Sequence, residues 1–388
     1  MTQKRAIEKG EISLVIVAAG SSERFCAHLP PHQRVKKQWL RIGNVPLWKK
    51  VADDFMQLYD FAQTIIAVSP DDYSYIQKAY GYPVVIGGNT RQASVQNALQ
   101  HIHTPFVLIS DAARWCLDGD VIANLLNQAN THTDCIAPYL EVADTAVYGG
   151  TYIDRKALKL IQTPQLCHTQ KLKDALTKGT FTDESSAISH CGGKVSYITG
   201  SPKLAKLTHG DDLHRLKDLP CVSGEIFTGS GFDVHGFEVG KKMVLGGVEM
   251  DTDFGFKAHS DGDVALHALT DALLGAIGGG DIGEWFPDTD KTYQNANSKL
   301  LLKKVYDFAI SIGFEIINAD ITIFAQTPKI APYKSQIRQS IASLLHTDLN
   351  RINIKATTTE HLGFIGRKEG ICTQANVHLR FIDWRAKI

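Results

Sequence analysis

The feature that constrains this chain most is an alternation in its first half. Short apolar runs at 14–19, 64–69, 83–86, 106–110 and 135–139 are separated by longer amphipathic stretches. The runs have strand length and the stretches between them have helix length. The pattern therefore predicts parallel strands joined by crossover helices, a doubly wound, mostly parallel α/β sheet. It persists to about residue 207. Residues 208–231 then mix charge with Pro220, Gly224 and Gly229 and hold no apolar period, which predicts a boundary. We place a first domain at 1–210, a linker at 211–225 and a second domain at 226–388.

The second half carries a different pattern. Apolar residues at 266, 269, 273 and 277 keep helical spacing behind an Asp or Ser cap, which puts His267 on a helix. Later runs at 319–325, 353–356 and 375–381 predict strands. The 41 Lys plus Arg balance the 41 Asp plus Glu, so the global basic field of a nucleic-acid binder is absent. There is no apolar run of membrane-spanning length and no secretory-type N-terminus. The seven cysteines are scattered without a Cys-x-x-Cys pair, which fits reduced thiols. These features predict a cytoplasmic enzyme of two domains, without nucleic-acid or membrane partners.

Chemistry-bearing residues cluster at the predicted strand ends of the first half. The first run turns into Ala18-Ala19-Gly20-Ser-Ser-Glu-Arg24, where open α/β sheets bind ligands. Lys36-Lys37-Gln38, Gly87-Gly88-Asn-Thr-Arg91-Gln-Ala-Ser94 and Ser110-Asp111-Ala112-Ala113-Arg114 follow. As an ordered set these resemble the 2-C-methyl-D-erythritol 4-phosphate cytidylyltransferases, as do Ala143-Asp144-Thr145, Asp154-Arg155, Thr163-Pro-Gln165, Thr182-Asp-Glu-Ser185 and Lys206-Leu-Thr208. The resemblance implies a nucleotidyl transfer from CTP to a methylerythritol phosphate. Negative charge grows on the leaving pyrophosphate, and Arg24 and Lys37 are the cations expected to stabilise it. It implies that Ala18, Ala19, Gly20, Gly88, Ser94, Asp111, Ala112 and Ala113 hold the cytidine. Arg155 and Lys206 would hold the acceptor phosphate, and Asp111 or Asp144 would carry Mg²⁺ with the triphosphate. Two departures concern the loop: Pro30-Pro31-His32 lengthens the stretch between Arg24 and Lys37, and Ser110 and Trp115 replace a frequent His and Pro.

In the second half, Asp233-Val-His235 puts two ligand-type side chains on one side of an extended strand. With His267 they suit a tetrahedral Zn²⁺ with one open position. Gly231-Phe-Asp-Val-His235, Ala258-His-Ser-Asp-Gly-Asp-Val-Ala-Leu-His267, Gly280-Asp-Ile-Gly283, Phe286-Pro-Asp-Thr-Asp290 and Lys355-Ala-Thr-Thr-Thr-Glu360 are similar to the 2-C-methyl-D-erythritol 2,4-cyclodiphosphate synthases. So are residues 325–332 and 362–367, while His361 stands where Lys is common. The resemblance implies a mixed-sheet α/β domain that trimerises and a cyclisation that expels CMP. It implies Mg²⁺ or Mn²⁺ at Glu360 beside the Zn²⁺. His259, Ser260 and Thr358 would make transition-state contacts. Asp281, Ile282, Gly283, Asp288, Thr357, Phe364 and Arg367 would contact substrate, and Ala325, Pro328, Lys329 and Ala331 the cytosine. Asp271, one helical turn beyond His267, reads as a solvated carboxylate, or else a support behind the metal.

The combined expectation is a bifunctional enzyme of non-mevalonate isoprenoid synthesis, a homo-oligomer with cyclase trimers that could close into a hexamer. A separate kinase would be a transient partner. Two alternatives stand beside it: transfer to another polyol phosphate, and a non-catalytic nucleotide- or metal-sensing fusion.

Overall fold

Each of the five apolar runs of the first half lies on a strand. The computed structural model describes residues 5, 7, 8, 10–258, 260–287, 289–293 and 296–387. The chain divides into two units: Met1–Ala27 with Lys36–Pro220 and Trp384–Ile388, and Cys221–Asp383 with His28–Val35. Part of the expected linker is ordered structure of the first unit, because Gly210–Leu216 form a 3-10 helix whose Leu213 and Leu216 are buried.

The first unit is an eight-stranded sheet. Its strands are β1 (Ile12–Val17), β2 (Gln63–Val68), β3 (Val84–Ile86), β4 (Phe106–Asp111), β5 (Cys135–Glu141), β6 (Lys159–Ile161), β7 (Gln165–His168) and β8 (Val195–Thr199). The order is β6-β5-β7-β4-β1-β2-β3, with β8 also pairing β5. β3, β2, β1 and β4 run parallel, whereas β7 is antiparallel to both β4 and β5. Leu14, Val15 and Ile16 are all fully buried. Both faces of β1 are covered, which is why its sequence is a continuous apolar run instead of an alternation. The unit's helices are α1 (Leu47–Leu58), α2 (Pro70–Tyr80), α3 (Arg91–Leu99), α4 (Gly119–Gln128), α5 (Thr169–Ala175) and α6 (Glu184–His190).

The second unit is a mixed sheet of β9 (Phe227–Val239), β10 (Phe254–Phe256), β11 (Phe314–Phe324), β12 (Ile352–Thr357) and β13 (Gly370–Phe381). The order is β10-β9-β13-β11-β12; only β11 and β12 pair in parallel. Its helices are α7 (Val264–Ile277), α8 (Ile282–Trp285), α9 (Ser298–Ser311), α10 (Lys334–Leu344) and α11 (Gly363–Gly366). The apolar stripe of α7, Leu266, Leu269, Leu273 and Ile277, is buried as its spacing predicts. The helix packs directly on the backbone of β9. A Cβ at Gly231 would run into the Ala268 carbonyl oxygen and stand 2.7 Å from the Ala272 nitrogen. This approach brings the strand bearing Asp233 and His235 up to the helix bearing His267. No described helix is long and apolar enough to cross a membrane.

Gly231→Ala is therefore expected to destabilise the second unit by about 1–3 kcal/mol, the usual cost of overpacking. Gly224→Ala, where a Cβ meets nothing within 4 Å, is the control. Calorimetric unfolding of the two variants checks this, and equal stability would refute the close approach.

Candidate functional site

In the first unit three strand ends converge. The Ala18 N–H donates to the Ala67 oxygen at 2.7 Å, so the β1 ladder continues to Ala18 and the chain turns away only at Ala19 and Gly20. Buried Gln38 ties this turn down. Its amide donates to the Gly20 oxygen at 2.9 Å, its Oε1 accepts from the Ser22 hydroxyl at 3.1 Å, and that hydroxyl accepts from the Lys37 N–H at 2.9 Å. Lys36 anchors the neighbouring backbone through an ion pair with buried Asp72 at 2.8 Å. At the second strand end Gly87 has no room for a side chain, since a Cβ there would lie 2.5 Å from the Ala19 Cβ. Thr90 caps α3, and the Ser94 hydroxyl accepts from the Gly88 N–H at 3.1 Å.

The third strand end presents Asp111. One oxygen accepts from Arg91 Nε at 2.9 Å and the other from Lys206 Nζ at 2.8 Å. Arg91 also grips the buried carboxylate of Glu184 with two bonds, at 2.7 and 3.1 Å, a bidentate geometry that fixes its plane. Burial alone would raise the Asp111 carboxyl, but Arg91 and Lys206 outweigh it and hold the group well below the usual range. Both Asp111 oxygens already face cations, which disfavours a metal there. The Lys37 ammonium is pushed down to about 8 by burial, then by Lys206 and Arg24.

A cavity of about 520 Å³ is lined by Ala19, Gly20, Arg24, Lys37, Gly88, Ser94, Asp111, Ala112, Ala113 and Lys206. A second of about 680 Å³ shares Arg91, Asp111 and Lys206 and adds Arg114, Thr163 and Thr182. Ala18 is buried and absent from this lining. Asp144 and Arg155 are absent too. They flank an exposed hairpin, Ala146–Tyr148 with Thr151–Ile153, and the Arg155 guanidinium bonds the Ala143 oxygen. Arg91, Glu184 and Gln38 were not singled out from sequence as site residues. All three sat inside the quoted motifs, but what each holds is visible only in the fold.

In the second unit Asp233 and His235 project from β9 toward α7. Asp233 Oδ2 lies 3.0 Å from His235 Nε2 and 3.1 Å from His267 Nδ1, and the two ring nitrogens are 3.3 Å apart. Among the described residues these three form the group able to hold a metal ion. Two imidazole nitrogens and a carboxylate oxygen converging on one point are a donor set that fits Zn²⁺. Burial opposes the ionised Asp233, but the two imidazoles prevail and keep it below the ordinary carboxylate range. His259 and Asp288 lie outside the described residues. The Ser260 hydroxyl is 3.5 Å from His267 Nε2. Asp281 caps α8 by accepting from Glu284 N at 2.9 Å. Asp271 is more than a solvated carboxylate, for it is half-buried and accepts the Ile282 N–H at 2.7 Å, tying the Asp281–Gly283 turn to α7.

A separate group gathers where β11 and β12 end. The Ala325 N–H donates to the Thr357 oxygen at 3.0 Å, the Thr358 hydroxyl to Glu360 at 2.9 Å, and His361 N to Gln326 at 3.4 Å. Glu360 and His361 both take left-handed backbone, φ 49° and 65°. Pro328, Lys329 and Ala331 follow Ala325; Phe364 is exposed on α11, and Arg367 pairs with Glu369 at 2.8 Å. Val234, Cys372, Phe324 and Thr357 are partners in one row across the sheet. The group is thus level with the Asp233 cluster but three strands away, ~14 Å at ordinary strand spacing. The fold of a single chain does not join the two.

Comparison with known proteins follows this geometry. Residues 12–218 match the 2-C-methyl-D-erythritol 4-phosphate cytidylyltransferase family and residues 226–380 the YgbB family. The Bifunctional enzyme IspD/IspF of Wolinella succinogenes is 49% identical over 374 residues, 96% of this chain and 97% of that protein. That of Aliarcobacter butzleri is 47% identical over 379 residues, 97% of this chain and 100% of the relative. The structure of the bifunctional IspDF from Campylobacter jejuni superposes with a TM-score of 0.85 at 45% identity, covering 97% of this chain and 100% of that one.

The depressed Lys37 predicts a pH dependence. The ammonium is charged below about 8 and neutral above it, so affinity for a nucleoside triphosphate should fall as pH rises through that value. Lys37→Arg should shift the fall to higher pH, because guanidinium stays charged. Calorimetric titration with CTP across this range checks it, and a flat profile in the unsubstituted protein would mean Lys37 does not face the triphosphate.

Proposed function

The chain belongs to the bifunctional IspD/IspF family, and from that premise we propose which of its residues carry each reaction. The first unit transfers CMP from CTP to 2-C-methyl-D-erythritol 4-phosphate and releases pyrophosphate. The second cyclises 4-diphosphocytidyl-2-C-methyl-D-erythritol 2-phosphate to 2-C-methyl-D-erythritol 2,4-cyclodiphosphate and releases CMP. The match across both units sets aside another polyol phosphate acceptor and a non-catalytic sensor.

The observation that carries the transferase assignment is the convergence of Arg24, Lys37 and Lys206 with Asp111 in one cavity. The acceptor phosphate attacks the α-phosphorus of CTP, the bond to the β-phosphate oxygen breaks, and charge moves onto the departing pyrophosphate. Arg24 and Lys37 stabilise that charge. Ala19, Gly20, Gly88, Ser94 and Asp111 to Ala113 receive the cytidine, and Lys206, oriented by Asp111, receives the acceptor phosphate. Asp144 and Arg155 reach such a site if a second copy lays its hairpin there. Tyr148 and Tyr152, 80% and 78% exposed on that hairpin, support an arm awaiting a partner.

In the cyclase, the 2-phosphate attacks the β-phosphorus of the same molecule and CMP leaves, so two anions must be brought together. Asp233, His235 and His267 would hold Zn²⁺, which would supply positive charge to neutralise and orient the two phosphates; Glu360 would hold Mg²⁺ or Mn²⁺. Asp281, Ile282, Gly283 and Asp288 meet the erythritol, Thr357, Phe364 and Arg367 the rest of the substrate, and Ala325, Pro328, Lys329 and Ala331 the cytosine. His259, Ser260 and Thr358 touch the reacting phosphates. Since the metal and cytosine groups are separated within one chain, a complete site forms between copies, which supports a cyclase trimer. Trimers of one unit joined by dimers of the other close as a hexamer. The charged metabolites involved support a cytoplasmic location.

Arg24→Ala and Lys37→Ala should each cut cytidylyl transfer by at least about 10²-fold with cyclisation unchanged. Retained transfer would sink the assignment. The transfer product also still lacks the 2-phosphate that cyclisation needs. Given CTP and methylerythritol phosphate, the enzyme should therefore stop at the cytidylyl product, and yield cyclic diphosphate only when ATP and a separate kinase are added. Mass spectrometry of the products decides between these outcomes.

A further inference from the structure

His267 uses its two ring nitrogens in opposite directions. Nδ1 faces Asp233 and His235, while Nε2 lies 2.8 Å from the hydroxyl of Ser298. Ser298 is wholly buried at the first position of α9. The capping is done by Asn297, whose side chain accepts from Lys299 N at 2.9 Å, so the Ser298 hydroxyl is left for other use. Asp261 takes both polar hydrogens that Ser298 offers: one oxygen accepts its hydroxyl and the other its N–H at 3.1 Å. A carboxylate only accepts, so the Ser298 proton points at Asp261 and its oxygen must accept from His267. That puts a hydrogen of His267 on Nε2 and leaves Nδ1, which faces Asp233 and His235, as the nitrogen whose lone pair a metal there would take. Ser260, at 3.5 Å from the same nitrogen, is too distant to do this.

We propose that Ser298 and Asp261 are positioning residues that set the tautomer and direction of His267 for metal binding. The inference rests on the zinc reading of Asp233, His235 and His267. Histidine ligands that lose such an outer partner typically lose about 10–100-fold in metal affinity. Ser298→Ala removes the acceptor. Asp261→Asn reverses the relay, because its amide can donate to Ser298 and turn the hydroxyl proton toward His267.

The test uses the full-length protein. Zinc affinity is measured by competition with a chromophoric chelator for the unsubstituted protein, Ser298→Ala, Asp261→Asn and His267→Ala. Nitrogen chemical shifts of His267 in the metal-free protein report whether Nε2 carries a hydrogen. The expected result is zinc affinity about 10–100-fold weaker in both relay variants, with Nε2 of His267 carrying a hydrogen only in the unsubstituted protein. Far-UV circular dichroism of the two relay variants should match the unsubstituted protein, which checks that the second unit is folded. Zinc affinity within about threefold of the parent in both relay variants, well short of the loss expected, would overturn the proposal while leaving the metal site standing. If the parent holds no zinc, or His267→Ala still holds it, the metal reading fails. The nitrogen shifts then decide the relay by themselves: an Nε2 without its hydrogen in the parent refutes it. Should Ser298→Ala not fold, Asp261→Asn carries the same decision.

Discussion

The second unit depends on one buried carboxylate. Asp263 is fully inaccessible, and four backbone N–H groups converge on it: Gly246, Ala265 and Leu266 on one oxygen at 2.8, 3.2 and 3.1 Å, and Gly247 on the other at 2.6 Å. Burial pushes the carboxyl up to about 6, against donors that favour the ion. Two of those donors belong to the first turn of α7, whose orphan amides need an acceptor. The other two belong to the Gly246-Gly247 turn. One side chain thus fixes where α7 begins, and His267 sits one helical turn later. With the glycines of β9 admitting the helix, Asp233, His235 and His267 have little freedom in how they meet.

The first unit reaches a similar end with different means. Its charged groups are organised by an ion-pair chain running from Glu184 through Arg91 to Asp111 and Lys206. Each member satisfies its neighbour, so a cationic surface can stand at the mouth of a sheet without scattering. Uncompensated cations so close would repel, and Lys37, depressed first by burial and then by Lys206 and Arg24, keeps some of that repulsion. A polyanionic nucleotide relieves it.

Much of this was legible in the sequence because it depends on local pattern. β1, β2, β3, β4 and β5 are apolar on both faces, and α7 carries a periodic stripe. The loops beyond β1 and β4 and the Asp-x-His of β9 announce themselves by position. Other parts depend on pairing at a distance. β7 is only four residues long and bounded by Gln165 and His168, so no run marked it. Most of β9 went unread because Gly229 and Gly231 replace the side chains that signal a strand; their purpose is the helix behind them. Gln38 and Ser298 are ordinary polar residues until the Gly20 turn and the His267 ring are placed beside them. Arg155 is the reverse case, conspicuous in sequence yet outside the lining of the cavity in a single chain.

The left-handed pair at Glu360 and His361 bears on how this surface can vary. His361 offers Gln326 its backbone N–H, and a Cβ added at Gly366 would run into the His361 backbone. What the turn demands of residue 361 is therefore a handedness of the chain. Unbranched side chains, and His in particular, enter that region at modest cost, whereas β-branched ones resist it. A lysine would meet that demand as the histidine does, so the charge of the rim is free to change at this position, whereas valine and isoleucine are barred.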